Sequence, residues 1–163
     1  MQVKFKKLHP DAKIPERGSA LAGGWDVTCA EIIQESPDVV ICKLGFALQP
    51  DKRFKITLVP RSSLTKTKWI LQNIPGLGDP DYTGEYQYRF RALPQDFVVY
   101  IENTSHFGEP LMKTKFIYPE FPYKVGDRIG QIYLEEIIPI DFIEVEELSE
   151  TDRGSGGFGS TGK

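Results

Sequence analysis

Residues 85–90 read EYQYRF, and their period decides the fold class. Tyr86, Tyr88 and Phe90 alternate with Gln87 and Arg89. That two-residue repeat belongs to a strand with one buried and one wetted face. A helix over the same residues would spread the three rings around its circumference. Working outward, comparable runs recur: QVKFKKL (2–8), DVVICKLGFAL (38–48), RFKITLV (53–59), KWILQ (68–72), DFVVYIE (96–102), MKTKFIY (112–118), GQIYLEEI (130–137) and FIEVEEL (142–148). They are rich in the β-branched and aromatic residues that strands favour. Turn clusters PDKR (50–53), PGLGDPD (75–81) and KVGD (124–127) lie between them. Only SLTKTKW (63–69) suits a short helical turn. Twelve prolines and fifteen glycines leave little room for helices. The expectation is an all-β sandwich or barrel.

At 163 residues the chain has the length of one domain with a real core. A net charge of −3 argues against duplex nucleic-acid binding, which needs a basic excess. No apolar run reaches the length of a membrane span, and the lysine-bearing start MQVKFKKLHP has no signal core behind it. A cytoplasmic location is expected, with Cys29 and Cys42 as buried thiols. Two histidines and no paired cysteine spacing argue against a zinc site. The apolar pattern fades from about Ser149, so the domain is expected over 1–148, with 149–163 as a mobile arm.

Five polar islands, four of them bearing glycine, interrupt the strands: AGGWDV (22–27), PRSSL (60–64), GLGDPDYTGE (76–85), GDRIGQ (126–131) and RGSGGFGSTGK (153–163). Singly, each reads as a turn. The last nearly spells a phosphate loop, since Gly157 and Gly162-Lys163 have the G-x-x-x-x-G-K spacing, but it lacks the helix such a loop opens. Jointly they supply arginines, serines, a glutamine and glycine amides for an anion. They also supply a carboxylate beside a tyrosine: Asp79 and Asp81 sit on a turn before Tyr82. A carboxylate near bound phosphate can deprotonate water, and a ring can lie against a sugar.

In order and content the islands resemble the motifs of the trimeric dUTP pyrophosphatases (dUTPases): A-G-x-D-L, P-R-S-G-L, G-x-I-D-x-D-Y-x-G, G-x-R-I-A-Q and R-G-x-G-G-F-G-S-T-G. The match runs from Ala22 to Gly162. The resemblance implies a distorted jelly-roll β-barrel, a homotrimer, and hydrolysis of dUTP to dUMP and pyrophosphate with Mg2+ on the triphosphate. Such activity keeps uracil out of DNA and supplies dUMP for thymidylate synthesis. By the same resemblance Asp79 activates the water that attacks the α-phosphorus. Tyr82 lies under the deoxyribose and excludes a 2′-hydroxyl. Asn73, Leu77, Gly78 and Gln87 form the uracil slot. Arg61, Ser62, Ser63 and Gln131 meet the phosphates. Asp26 reaches the metal through water or holds arginines behind the site. From the arm of a neighbouring subunit, Arg153 pairs with the γ-phosphate, Phe158 stacks on uracil, and Gly159, Ser160 and Thr161 wrap the phosphates.

Several positions depart from the pattern. Ser63 replaces Gly, and Gly78 replaces a branched residue, which is expected to loosen the turn bearing Asp79. Gly130 replaces Ala with no expected consequence. The gap between the third and fourth islands is long, so 95–123 is expected to be an inserted extended hairpin of the kind seen in phage-type members. It would cover the barrel or trimer edge, or bind a partner protein; a nucleotide-sensing regulatory trimer is the alternative function. A dCTP deaminase, which shares the fold, needs a glutamate where Arg89 stands.

Overall fold

A computed structural model describes residues 2–104 and 110–157. Its strands are β1 (Lys4–Lys7), β2 (Glu16–Arg17), β3 (Trp25–Thr28), β4 (Glu31–Ser36), β5 (Val39–Lys43), β6 (Phe46–Gln49), β7 (Phe54–Pro60), β8 (Trp69–Leu71), β9 (Gly76–Gly78), β10 (Gln87–Ala92), β11 (Asp96–Thr104), β12 (Pro110–Ile117) and β13 (Arg128–Glu136). A single 3-10 turn at Ser62–Lys66 is the only helical element among the described residues. The all-β expectation is met. No helix among these residues is long and apolar enough to cross a membrane.

Two sheets enclose the core. One has the order β4-β5-β10-β8, the other β2-β3-β13-β7-β9, and the pair β1-β6 sits beside them. The alternation that opened the sequence drives this packing: Tyr86, Tyr88 and Phe90 are buried, whereas Gln87 is exposed and Arg89 half-exposed. Tyr88 and Phe90 stack with centroids 6.1 Å apart, and Phe90 continues to Phe121 at 5.4 Å. Such rings bury large apolar areas and dominate a core of this size. Cys29 and Cys42 are free and buried within it. Their mutual hydrogen bond, ahead of desolvation, holds the Cys42 thiol far above its ordinary value and draws Cys29 down.

Two strand expectations fail. DVVICKLGFAL splits into β5 and β6 at Gly45, whose φ is +71°, and a Cβ there would crowd His9, Ala30 and Ala12. FIEVEEL (142–148) forms no strand, and Phe142 and Leu148 are 92% and 87% exposed. It pairs with no strand among the described residues of its own chain. The segment 95–123 divides in two. β11 and β12 pair only with each other, whereas Tyr118, Phe121 and Tyr123 pack on the core, and Trp69 Nε1 donates to the Glu120 carbonyl at 3.0 Å.

Candidate active site

The strand register positions two groups of polar residues. Asp26 of β3 stands opposite Gln131 of β13, which stands opposite Val59 of β7. That row places the Asp26 carboxylate, only 8% exposed, where it accepts from Arg128 Nη1 at 2.8 Å and Gln131 Nε2 at 3.1 Å. Arg61 Nε lies 3.8 Å away, and its Nη1 donates to the Arg128 carbonyl at 3.3 Å. A buried carboxylate survives only when paired in this way. Asp26 therefore aligns two guanidinium groups and a carboxamide. Ser62 and Ser63 follow Arg61, exposed at the start of the 3-10 turn. Arg128 was not among the residues picked out from the sequence; its place in GDRIGQ was the available signal.

The second group surrounds a recess of about 150 Å³ lined by Leu58, Asn73, Gly76, Leu77, Tyr82, Glu85, Tyr86 and Gln87. β9 is the outer strand of its sheet, paired with β7 alone, so its other edge offers unpaired main-chain donors and acceptors. Asn73 spends its carboxamide on β10. Its Nδ2 donates to the Gln87 carbonyl at 3.2 Å, and its Oδ1 accepts from the Arg89 N–H at 3.0 Å. It clamps the recess. Tyr82 hydrogen-bonds the Glu85 carbonyl at 2.9 Å and meets Tyr86 edge-on at 5.4 Å. Asp79 is exposed just beyond Gly78, and its carbonyl accepts from the Tyr82 N–H at 3.1 Å. Arg89 points its guanidinium to Glu35 and Gln72.

Two sequence departures acquire reasons. Gly78 does not loosen its turn, because the Tyr86 ring occupies the volume that a branched side chain would take. Gly130 is not interchangeable with Ala, because a Cβ there would run into the Tyr88 ring. Tyr88 lies below Gly130 and donates from Oη to the Gln131 carbonyl at 2.7 Å. Burial makes both phenols weaker acids and pushes the pKa of Tyr86 up to about 12. Tyr86 and Tyr88 thus reach across the core to glycines of the opposite sheet.

The two groups do not meet within one chain. Gly78 pairs with Ile56 of β7, and Ile56 pairs with Leu134, three residues along from the Asp26–Gln131–Val59 row. With three strand spacings across and three residues along, Gly78 and Asp26 are roughly 17 Å apart. Arg153 is exposed, its Nε bonded to the Gly156 carbonyl at 2.9 Å. Phe158, Gly159, Ser160 and Thr161 lie outside the described residues. Among the described residues no three His, Cys, Asp or Glu side chains form a metal cluster. The oxygens of Asp26 already face Arg61, Arg128 and Gln131, so that carboxylate fits a metal only through water.

A family model for dUTPase matches residues 116–162. The deoxyuridine 5'-triphosphate nucleotidohydrolase of Helicobacter pylori (strain Shi470) is 33% identical over 164 residues, covering 99% of this chain and 97% of that protein. The Wolinella succinogenes protein of the same name is 34% identical over 165 residues, covering 100% and 95%. Among solved structures, the Staphylococcus bacteriophage 80alpha dUTPase with dUPNHPP superposes with a TM-score of 0.75 at 24% identity, covering 99% of both chains. The dUTPase from phage phi11 of S. aureus gives 0.67 at 19% identity, over 93% of this chain and 100% of that one. These superpositions bear out the jelly-roll type of fold, and the bacterial relatives establish descent. The chain belongs to the dUTPase family.

Proposed function

We propose that this chain hydrolyses dUTP to dUMP and pyrophosphate in a homotrimer whose sites are shared between subunits. The observation that carries the shared site is the separation just described: the Asp79 turn and the Asp26–Arg61–Arg128–Gln131 cluster are too far apart in one chain to serve one α-phosphorus. A second feature agrees with it. Residues 137–148 expose Ile138, Ile140, Phe142 and Ile143, an apolar run that a neighbouring subunit would cover.

In this reading the open edge of β9 receives uracil. Uracil presents acceptor, donor and acceptor in a row, which cytosine does not, and the bulk of the thymine methyl is excluded. Tyr82 lies against the deoxyribose. Asp79 takes a proton from water as the water oxygen bonds to the α-phosphorus and the bond to the bridging α–β oxygen breaks. Arg61, Ser62, Ser63 and Gln131 of another subunit hold the charge that accumulates on the phosphates and the leaving pyrophosphate. A divalent ion, Mg2+ in this proposal, neutralises phosphate charge when bound to the nucleotide, with Asp26 in reach only through water. Arg153, Phe158, Gly159, Ser160 and Thr161 would close over the nucleotide from a third chain. No strand residue of the β11–β12 hairpin lines the recess.

Incubating the protein with Mg2+ and each of dUTP, dCTP, dTTP and UTP, then identifying products, tests the reading. dUMP and pyrophosphate should form from dUTP alone. Release of ammonia from dCTP, or equal cleavage of all four, would overturn it.

A further inference from the structure

Gly78 lies immediately before Asp79, and a Cβ built on it would meet Oη of Tyr86 first and would also fall 2.6 Å from Cε1 and 2.9 Å from Cζ of that ring. A side chain at 78 and the Tyr86 ring therefore exclude each other. Gly78 is not among the positive-φ glycines, so its backbone does not itself demand glycine. The ring does. That ring also meets the Tyr82 ring at 82°, centroids 5.4 Å apart. The backbone on either side of Gly45 holds it: the Tyr86 N–H donates to the Phe46 carbonyl at 3.1 Å, and its carbonyl accepts from the Leu44 N–H at 3.0 Å. Tyr86 Oη is buried with no hydrogen-bond partner in the described structure. A hydroxyl without a partner costs stability, so the ring's shape is what this position gains.

We propose that Gly78 and Tyr86 are a matched pair that sets sugar discrimination. The Tyr86 ring, seated where a side chain at 78 would lie, fixes the turn bearing Asp79 and the tilt of the Tyr82 ring together. Tyr86 is a positioning residue, acting through Asp79 and Tyr82, and the proposal rests on the roles given to those two above.

Steady-state kinetics on dUTP and UTP test it in the full-length protein. Tyr86→Leu removes the edge contact, and its preference for dUTP over UTP in kcat/KM should fall about tenfold. Gly78→Val drives the ring into Tyr82 and shifts Asp79, so kcat for dUTP should fall about tenfold. The double variant refills the vacated volume, and both quantities should return to within about threefold of wild type, the non-additivity expected of touching residues. Tyr86→Phe should keep the wild-type preference; loss of preference there would assign the effect to the hydroxyl and overturn the packing account. Tyr82→Ala separates the two levels. If it leaves the preference unchanged, the sugar-ring reading itself is wrong. If it lowers the preference but Tyr86→Leu does not, or if the double variant is no better than Gly78→Val, the matched pair is wrong and the sugar reading stands. Should Gly78→Val fail to fold, recovery of folding by added Tyr86→Leu supports the pair. A Gly78→Ala protein with wild-type thermal stability refutes it.

Discussion

At the scale of single residues, Asp26 and Asp79 carry opposite duties with the same functional group. Asp26 is buried and bonded to Arg128 and Gln131. Asp79 is exposed on a turn. The first organises donors; in the proposed reaction the second meets water. Asp79→Asn should bind dUTP with little change while kcat falls about a hundred- to ten-thousandfold, the loss expected for a missing general base. Isothermal titration with a non-hydrolysable analogue, beside turnover, checks this. Asp26→Asn keeps the shape but removes the charge that holds two guanidinium groups. Because Arg61 and Arg128 are partly solvated, its stability cost should be about 1–2 kcal/mol. The KM for dUTP should rise about tenfold as the donors lose alignment. A kcat effect with unchanged KM would place Asp26 in the chemistry instead.

At the scale of elements, β10 explains both what the sequence discloses and what it hides. Its alternation announces a half-buried strand, and Tyr88 and Phe90 are buried as that pattern requires. β7 and β13 are legible for the same reason, because a two-residue period is a local property. The contacts of Tyr86 with Gly78 and of Tyr88 with Gly130 depend on how the two sheets face each other. They cross from one sheet to the other, so strand periodicity does not reveal them, and the two glycines read there only as departures from the family pattern. The clamp made by Asn73 is hidden likewise, since it depends on where β10 passes. The functional islands were legible through their joint resemblance to a family; the partnership of Asp26 with Arg128 joins two of them over a separation of 102 positions. One consequence runs against the family pattern. Gly130→Ala restores the usual residue yet should destabilise the protein by about 1–3 kcal/mol through overpacking against Tyr88. Thermal unfolding should show the loss, and Tyr88→Leu in the same chain should recover part of it.

At the scale of the whole molecule, the apolar run at 137–148 and the distance between the two site groups have one explanation. In the proposed trimer, both are completed by another chain. FIEVEEL was misjudged as a strand of the monomer because alternation reveals that a strand edge is wanted, not whose edge it is. The arm extends the same logic: a protein truncated before Arg153 should assemble as wild type by sedimentation yet retain little dUTP turnover. Aggregation of that truncate would make the arm structural. The most direct measurement mixes two dead proteins. Asp79→Asn and a Gln131→Ala, Arg61→Ala double variant should each be nearly inactive alone, and refolding them together in equal amounts should form mixed trimers. If Asp79 and the phosphate cluster of one site come from different subunits, about a quarter of the sites recover an intact Asp79 and an intact cluster, and about a quarter of wild-type activity should return. Activity that stays at the level of the separate variants, in trimers shown to be mixed, would place the whole site within one chain and contradict the account.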